Sequence, residues 1–454
     1  LAFGLLCAAG TPYFAYAAGT DSLTVNVSED AYLGNAVFTV SVDKKKIGGN
    51  LTASALRNAG ESQDFTLSGS WGAGPHTVTV RYLQDAYGGS SSKDRNLYVN
   101  RITYDNIASA KINTEIGSAG SVDFSIAAVK AASVSLSMEP GVNLSGLEMA
   151  SGKKPGVANV DYAVPTTSEL DYYASKGVKV VRLPILWERL QPGLLSASPT
   201  LALDTKYLGY ITKLMTYAST KGMGVIVDLH NYGAYNAIKM ASSAGVGGPL
   251  FGAAWTTIAG ALKSNPGLLG YDLMNEPNGF PAHGIWQSLA QYGINGVRAA
   301  DTNTLIVVEG DAWASAGSWN TQSVTMNALR DPAQKMMFEA HVYGDRDSSG
   351  THFAWATEAA LGVTVNTIAQ RVAVFGAWCR TNAVQCMVGE VGVGNDSPNW
   401  NTELLNGLAQ MKADGMVAVT YWAGGPWWGT YPMSVEPLNG KDRAQMTVLS
   451  AFVN

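Results

Sequence analysis

The sequence predicts an α/β protein: a (β/α)8 barrel of the TIM type preceded by a small all-β sandwich or jelly-roll module. Three observations carry this. Residues 21–105 alternate apolar and polar side chains in short runs separated by Gly-, Ser- and Lys-rich turns, the pattern of a sandwich. From residue 138 onward, apolar runs alternate with longer amphipathic segments, as buried parallel strands alternate with helices. No Gly-rich phosphate loop follows an early strand of that region, which disfavours the rival doubly wound sheet.

In chain order, residues 1–18 are apolar and rich in small side chains, with Ala15-Tyr16-Ala17 in the form of a cleavage site. They are expected to be the remainder of a secretory signal peptide, and the protein to be secreted, extracellular or periplasmic; a buried N-terminal helix is the alternative. Module strands are predicted at 22–27, 36–42, 63–67, 76–83 and 96–104, with Lys44-Lys45-Lys46 in a solvated hairpin. Residues 106–137 lack a clear period and are expected to be a linker or packing arm. Within 138–454, strands are predicted at 179–184, 224–229, 268–274, 304–309, 335–340, 385–389 and 418–422. Helices are predicted at 205–221, 255–264, 284–300, 365–381 and 401–414.

Composition narrows the partners. The 454 residues hold 30 Lys and Arg against 35 Asp and Glu, a net charge of −5, so no nucleic acid is expected as a partner. Charged residues make up 14%, while Gly (50), Tyr (20) and Trp (12) are abundant, a surface suited to neutral, hydroxyl-rich ligands. No stretch beyond the N-terminus is apolar for long enough to span a membrane, and a monomer is expected. Cys7 lies in the signal-like segment. In an exported chain Cys379 and Cys386 are expected to close a short loop as a disulfide, the alternative being two free thiols.

Residues at the C-terminal ends of barrel strands converge on one mouth. Here those ends carry Arg182, His230-Asn231, Asn275-Glu276, His341 with Tyr343, Glu390 and Trp422. A lone polar residue at a strand end means little; six such ends together point to a site. Two carboxylates, Glu276 and Glu390, suit cleavage of a glycosidic bond, where one acid protonates the leaving oxygen and one carboxylate meets the developing positive charge. The acid needs its pKa raised by burial or by the other charge, and the partner must stay ionised. Arg182 and Tyr343 are suitable partners for an ionised carboxylate.

The motifs Gly141-Val142-Asn143-Leu144-Ser145-Gly146, Val181-Arg182-Leu183-Pro184, Asp228-Leu229-His230-Asn231, Met274-Asn275-Glu276-Pro277, His341-Val342-Tyr343, Gly389-Glu390 and Tyr421-Trp422 resemble glycoside hydrolase family 5, in the family's order. The resemblance implies a retaining mechanism without a catalytic cofactor, with Glu276 as acid/base and Glu390 as nucleophile. It implies further that Asn275 bonds the sugar 2-hydroxyl and that Trp422 is the stacking floor. Arg182 and Tyr343 would hold the nucleophile, and His230 and His341 would line the same subsite. The segments 341–352 and 421–437 resemble the endo-β-1,4-glucanase branch, which implies a plant-type β-glucan polysaccharide as partner. Mannan, xyloglucan and xylan are the alternative substrates, and a non-catalytic polysaccharide-binding barrel is the alternative of another class. Trp187, Trp313, Trp427 and Trp428 are candidate sugar platforms, packing at the barrel rim being the alternative for each.

In the module, Asp85-Ala86-Tyr87-Gly88-Gly89 and Asp94-Arg95-Asn96-Leu97-Tyr98-Val99-Asn100, with Glu29-Asp30-Ala31-Tyr32, resemble the calcium-dependent carbohydrate-binding modules of families 36 and 60. The resemblance implies calcium held by Asp85 and Asp94, with Asp30 or Glu29 as a further acid. Tyr32 and Tyr87 are expected either to stack on sugar or to face the sandwich core.

Overall fold

The computed structural model describes residues 21–69, 71, 76–104, 107–109, 111–126 and 138–453. The signal-like segment with Cys7, most of the turn at 69–74 and the end of the expected linker, 127–137, lie outside the described residues.

Among the described residues, nine strands build the module. They are β1 (Asp21–Asp30), β2 (Val37–Val42), β3 (Lys45–Thr52), β4 (Gln63–Gly69), β5 (His76–Tyr82), β6 (Asn96–Tyr104), β7 (Ile107–Ala108), β8 (Thr114–Ile116) and β9 (Gly120–Ile126). One antiparallel sheet runs β4-β1-β6-β7 with β8 also on β6, and the other runs β3-β2-β5-β9. Alternation along each strand sends Leu23, Val25, Phe38, Val40, Val78, Val80, Val99, Ile102 and Phe124 into one core shared by both sheets. The lysine run opens a hairpin: Asp43 and Lys44 take left-handed backbone angles (φ 47° and 70°), and β3 then pairs with β2 as a solvated edge.

The linker expected over 106–137 is corrected by three strands. β8 pairs with β6, and β9 pairs with β5 over its full length, burying Phe124 and Ile126. The module therefore continues at least to residue 126. The outward positions of β9 are Ser121, Asp123 and Ser125, so its apolar signal is confined to alternate residues.

The second unit is a closed parallel barrel of β10 (Glu139–Leu144), β11 (Val180–Ile185), β12 (Gly224–Leu229), β15 (Leu268–Asp272), β16 (Leu305–Glu309), β17 (Met336–Tyr343), β18 (Cys386–Gly392) and β19 (Ala418–Gly424). A short hairpin, β13 (Ala234–Tyr235) and β14 (Ile238–Lys239), follows β12. Helices at Thr205–Thr220, Ile285–Ala300, Thr367–Asn382 and Pro398–Ala413 lie close to the predicted ranges, whereas Gly247–Leu262 starts eight residues before the predicted 255–264. Cys379 and Cys386 are bonded, tying the end of a helix to the start of β18.

The strands have two unlike faces. Val181, Leu183, Val225, Val227, Tyr271, Ile306, Val308, Phe338 and Ala340 belong to the core that includes the helices. The inward positions begin apolar, with Val180, Ile226, Val307, Met337 and Met387 packed together. Two residues further along, the same inward face carries Arg182, Asp228, Glu309 and Glu339, all fully buried. The barrel is thus greasy at one end and charged at the other.

Candidate active site

The charged end is organised by Arg182. Its guanidinium lies 3.1 Å from Asp228, 2.8 Å from Asp272, 2.8 Å from Glu309, 3.0 Å from Glu339 and 3.0 Å from Glu390. It also donates to the amide oxygens of Asn143 and Asn275, each at 2.9 Å. Carboxylates so crowded and so dry cannot all ionise, because one cation cannot offset them in a low-dielectric interior. Burial, and then the charge of Glu339, drive Asp272 well above the carboxylate range. Burial pushes Glu309 up to about 7, against the opposing pull of His341. Burial disfavours a charged His341, yet Glu309 and Glu390 hold its pKa well above the ordinary histidine value. The cluster keeps protons that the same groups would release in water.

Glu390, on β18, is gripped from two sides. Arg182 Nη1 donates to Oε1 at 3.0 Å, and the Tyr343 hydroxyl donates to Oε2. Burial and the neighbouring glutamates raise the Tyr343 phenol well above its usual value, so it remains a donor. Gly389, just before, admits no side chain: a Cβ there would lie 1.5 Å from Glu339 Oε1. Its carbonyl accepts from Asn143 Nδ2 at 2.7 Å.

Glu276 follows β15 and faces His341, whose Nδ1 lies 2.9 Å from Oε1. One carboxylate oxygen each of Glu276 and Glu390, and His341 Nδ1 between them, lie within 4.8 Å of one another. Asn275 is fully buried; its oxygen is bound by Arg182, and its Nδ2 has no partner among the described residues. His230 sits between Asp228, at 2.7 Å from Nδ1, and the Tyr232 hydroxyl, at 3.1 Å from Nε2. Its ring is stacked on Trp422 with centroids 5.3 Å apart and planes 10° apart. Eight of the nine strand-end residues therefore meet at one mouth, while Asn231 donates to Glu188 Oε2 and accepts from the Trp187 backbone N–H. Sequence reasoning missed Asp228, Asp272, Glu309 and Glu339, which are embedded in the apolar strand runs and touch Arg182.

The tryptophans divide. Trp187 takes the packing alternative: it is fully buried, edge-on to Tyr235 and Phe251, with its indole N–H on Gln191, and is no sugar platform. Trp313 is 56% exposed and Trp427 46% exposed. Trp313 is raised on a left-handed turn (Ala312, Trp313 and Ala314, φ 54°, 60° and 50°) whose N–H reaches Pro277 O, next to Glu276. Trp428 stands edge-on to Trp422 at 6.0 Å and stacks on Tyr431.

In the module, Asp85 and Asp94 flank one loop, closed by Arg95 N to Ala86 O and Gly88 N to Lys93 O. Asn96 Nδ2 donates to Asp94 Oδ2 at 3.3 Å, while the buried Asn96 Oδ1 has no partner among the described residues. Calcium takes oxygen ligands, and Asp94 and the Asn96 amide oxygen are two at this loop, though the amide turns its N–H₂ to Asp94 and none of the converging groups of three acids or histidines among the described residues lies in the module. Asp30 pairs in register with Asn96 and accepts from Tyr98, and Glu29 is fully buried with Oε1 unpartnered among the described residues. Tyr87 is 65% exposed, so it does not face the core; Tyr32 packs its hydroxyl against Gly88.

Comparison with known proteins agrees with this geometry. The cellulase (glycosyl hydrolase family 5) family matches residues 137–426, which span all the barrel strands. The chain belongs to that family. An endoglucanase of Neurospora crassa is 33% identical over 303 residues, 66% of this chain and 73% of the relative. Endoglucanase 3 of Humicola insolens is 32% identical over 304 residues, 66% and 73% of the two chains. Among solved structures, the Pseudomonas stutzeri endoglucanase Cel5A in complex with cellobiose superposes with a TM-score of 0.65 at 34% identity, covering 70% of this chain and 92% of that one. An endo-β-1,4-glucanase of Xanthomonas axonopodis pv. citri gives 0.64 at 36% identity, covering 70% and 98%. Residues 22–115 match carbohydrate-binding module family 60, described as Ca-dependent and xylan-binding. This match runs past residue 105, as the strands do. The family 5 barrel is thus preceded by a sugar-binding module.

Proposed function

We propose that this family 5 hydrolase is a secreted, retaining endo-β-1,4-glucanase that cuts internal bonds of cellulose or mixed-linkage β-glucan. The observation that carries the reading is the approach of Glu276 and Glu390 to within 4.8 Å, each with its own partners. A pair of carboxyl groups about 5 Å apart suits a nucleophile and an acid/base rather than two groups with a water between them. Secretion accords with the expected signal segment and with the Cys379–Cys386 disulfide; no helix among the described residues is long and apolar enough to cross a membrane.

In the first step Glu390 attacks the anomeric carbon while Glu276 gives its proton to the glycosidic oxygen, so the leaving sugar departs neutral. Arg182 and Tyr343 orient the attacking carboxylate and follow its charge as it disperses. In the second step Glu276, now a carboxylate, takes a proton from water, and that water attacks the anomeric carbon and releases Glu390. The free N–H of Asn275 is the donor available to the sugar 2-hydroxyl. Trp422, kept parallel to His230, offers a flat apolar face to the same sugar. Asp85 and Asp94, with Asn96 beside them, would hold calcium in the module, where the ion supplies direct coordination to neutral sugar hydroxyls.

A second reading has support of its own. The xylan-binding description of the module's family favours a target wall that carries xylan, with xylan or xyloglucan as the polymer cut. Reducing-sugar release from carboxymethylcellulose, barley β-glucan, xylan, xyloglucan and mannan, with the native chain and Glu390→Gln, separates the readings. Release from the glucans that vanishes in the variant is the expected result. Release chiefly from xylan or mannan overturns the substrate, and release from none returns the barrel to a binding role.

A further inference from the structure

Glu309 ends β16, the strand beside β15, and none of the roles above uses it. Its side chain is fully buried, and its main chain is fixed where Trp286 Nε1 donates to its carbonyl at 2.7 Å. Three observations tie it to Glu276. The backbone of Glu276 is left-handed (φ 43°), a region that is strained for a residue with a Cβ and persists only where something holds it. The N–H of that strained residue donates to Glu309 Oε2 at 2.6 Å. The other oxygen, Oε1, accepts from Arg182 Nη2 at 2.8 Å and lies 3.4 Å from His341 Nε2, while His341 Nδ1 lies 2.9 Å from Glu276 Oε1. Glu309 thus meets Glu276 at its backbone directly, while on the side-chain route it shares His341 Nε2 with Glu339, whose Oε1 is nearer at 3.2 Å.

We propose that Glu309 is a positioning residue for Glu276, locking the left-handed backbone and, through His341, the direction of the carboxyl that delivers the proton. The inference rests on the reading of Glu276 as the acid/base. Two carboxyl oxygens are needed because two separate donors must be met: Gln would offer one oxygen and turn an N–H₂ against either Arg182 or the Glu276 amide. The charged groups facing Glu309 are Arg182 from β11, Asp228 from β12, Asp272 from β15, Glu339 and His341 from β17 and, across the mouth, Glu390 from β18. None of them reaches the Glu276 amide in its place.

The leaving group supplies the test. Cellopentaose needs its glycosidic oxygen protonated, whereas dinitrophenyl β-cellobioside departs without help and reports only on the nucleophile and the fold. Glu309→Gln is expected to lower kcat/KM on cellopentaose by about tenfold or more, and on the activated glycoside by less than about threefold. The ratio within one preparation cancels any loss of folded enzyme. An equal fall on both substrates overturns the proposal. Should Glu309→Gln not fold, Glu309→Asp, which draws the charge back by one methylene, is read by the same ratio and held to the same outcomes. Glu276→Ala measured alongside separates the two failures. If it loses both substrates equally, the acid/base reading fails; if it discriminates and Glu309→Gln does not, Glu309 alone has been misread.

Discussion

Arg182 Nη1 lies 3.0 Å from Glu390 Oε1, and the same guanidinium also touches Asp228, Asp272, Glu309 and Glu339 behind it. One side chain therefore both aims the nucleophile and compensates the charged end of the barrel. Arg182→Ala should abolish turnover and cost about 3–5 kcal/mol of stability, since it strands buried carboxylates without their cation. Denaturant unfolding alongside kcat checks this. A variant that is inactive but fully stable would mean that the cluster is neutral by proton sharing alone.

The same cluster sets a pH dependence of stability. Glu309 is raised by burial from an ordinary 4.5 to about 7, and Asp272 and His341 are also raised. A raised group contributes stability that is fully present below its unfolded pKa and is lost as pH rises through its folded pKa. The contribution of Glu309 is therefore present below about 4.5 and fades toward and past about 7. The depressed carboxyls Asp301 and Asp347 act oppositely but lose their contribution only as pH falls below their ordinary 3.8. The melting temperature should be higher at about pH 5 than at about pH 8, read by calorimetry; a rise over that interval would contradict the charge assignment.

Two tryptophans that look alike in sequence should behave oppositely. Trp187→Ala empties a fully buried site and should cost about 3–5 kcal/mol. Trp313→Ala removes an exposed rim ring and should change stability by no more than about 0.5 kcal/mol, while raising KM for polymeric glucan. Unfolding curves and polymer kinetics on the two variants give the contrast. A Trp313 variant that binds polymer as the native chain does would remove that ring from the substrate path.

Calcium removal should separate the two units. With EDTA, retention of the protein on insoluble xylan is expected to fall, and Asp94→Ala should reproduce the loss. Hydrolysis of soluble cellopentaose should be unchanged, because the proton and nucleophile chemistry rests on Glu276 and Glu390. Loss of cellopentaose cleavage with the fold intact would mean that the ion serves the barrel.

Much of this site was legible because polar or amphipathic residues gather where barrel strands end: His230 and Asn275 follow β12 and β15, and His341 and Trp422 lie in the last three residues of β17 and β19. Asp228, Asp272, Glu309 and Glu339 were not, because a single acid within a buried run reads as noise until strand alternation turns all four inward. The recurring pattern of an acid two residues after an inward apolar residue was the available signal. In the module, β3 hid for a different reason. As a solvated edge it carries Lys45, Lys46, Gly48 and Gly49, residues that by composition spell a turn. Trp187 and Trp313 cannot be told apart in the sequence, because aromatic content says nothing of which way a side chain faces.

The most direct test of the central claim, that Glu390 attacks and Glu276 handles the proton, is the stereochemistry of azide rescue. Glu276→Ala and Glu390→Ala are each given an activated β-cellobioside with sodium azide, and the glycosyl azide is identified by NMR. The account predicts a β-azide from Glu276→Ala, where azide attacks the intermediate on Glu390, and an α-azide from Glu390→Ala, where azide takes the place of the lost nucleophile. The reversed pair of anomers would exchange the roles of the two glutamates, and an α-azide from both would contradict a retaining mechanism altogether.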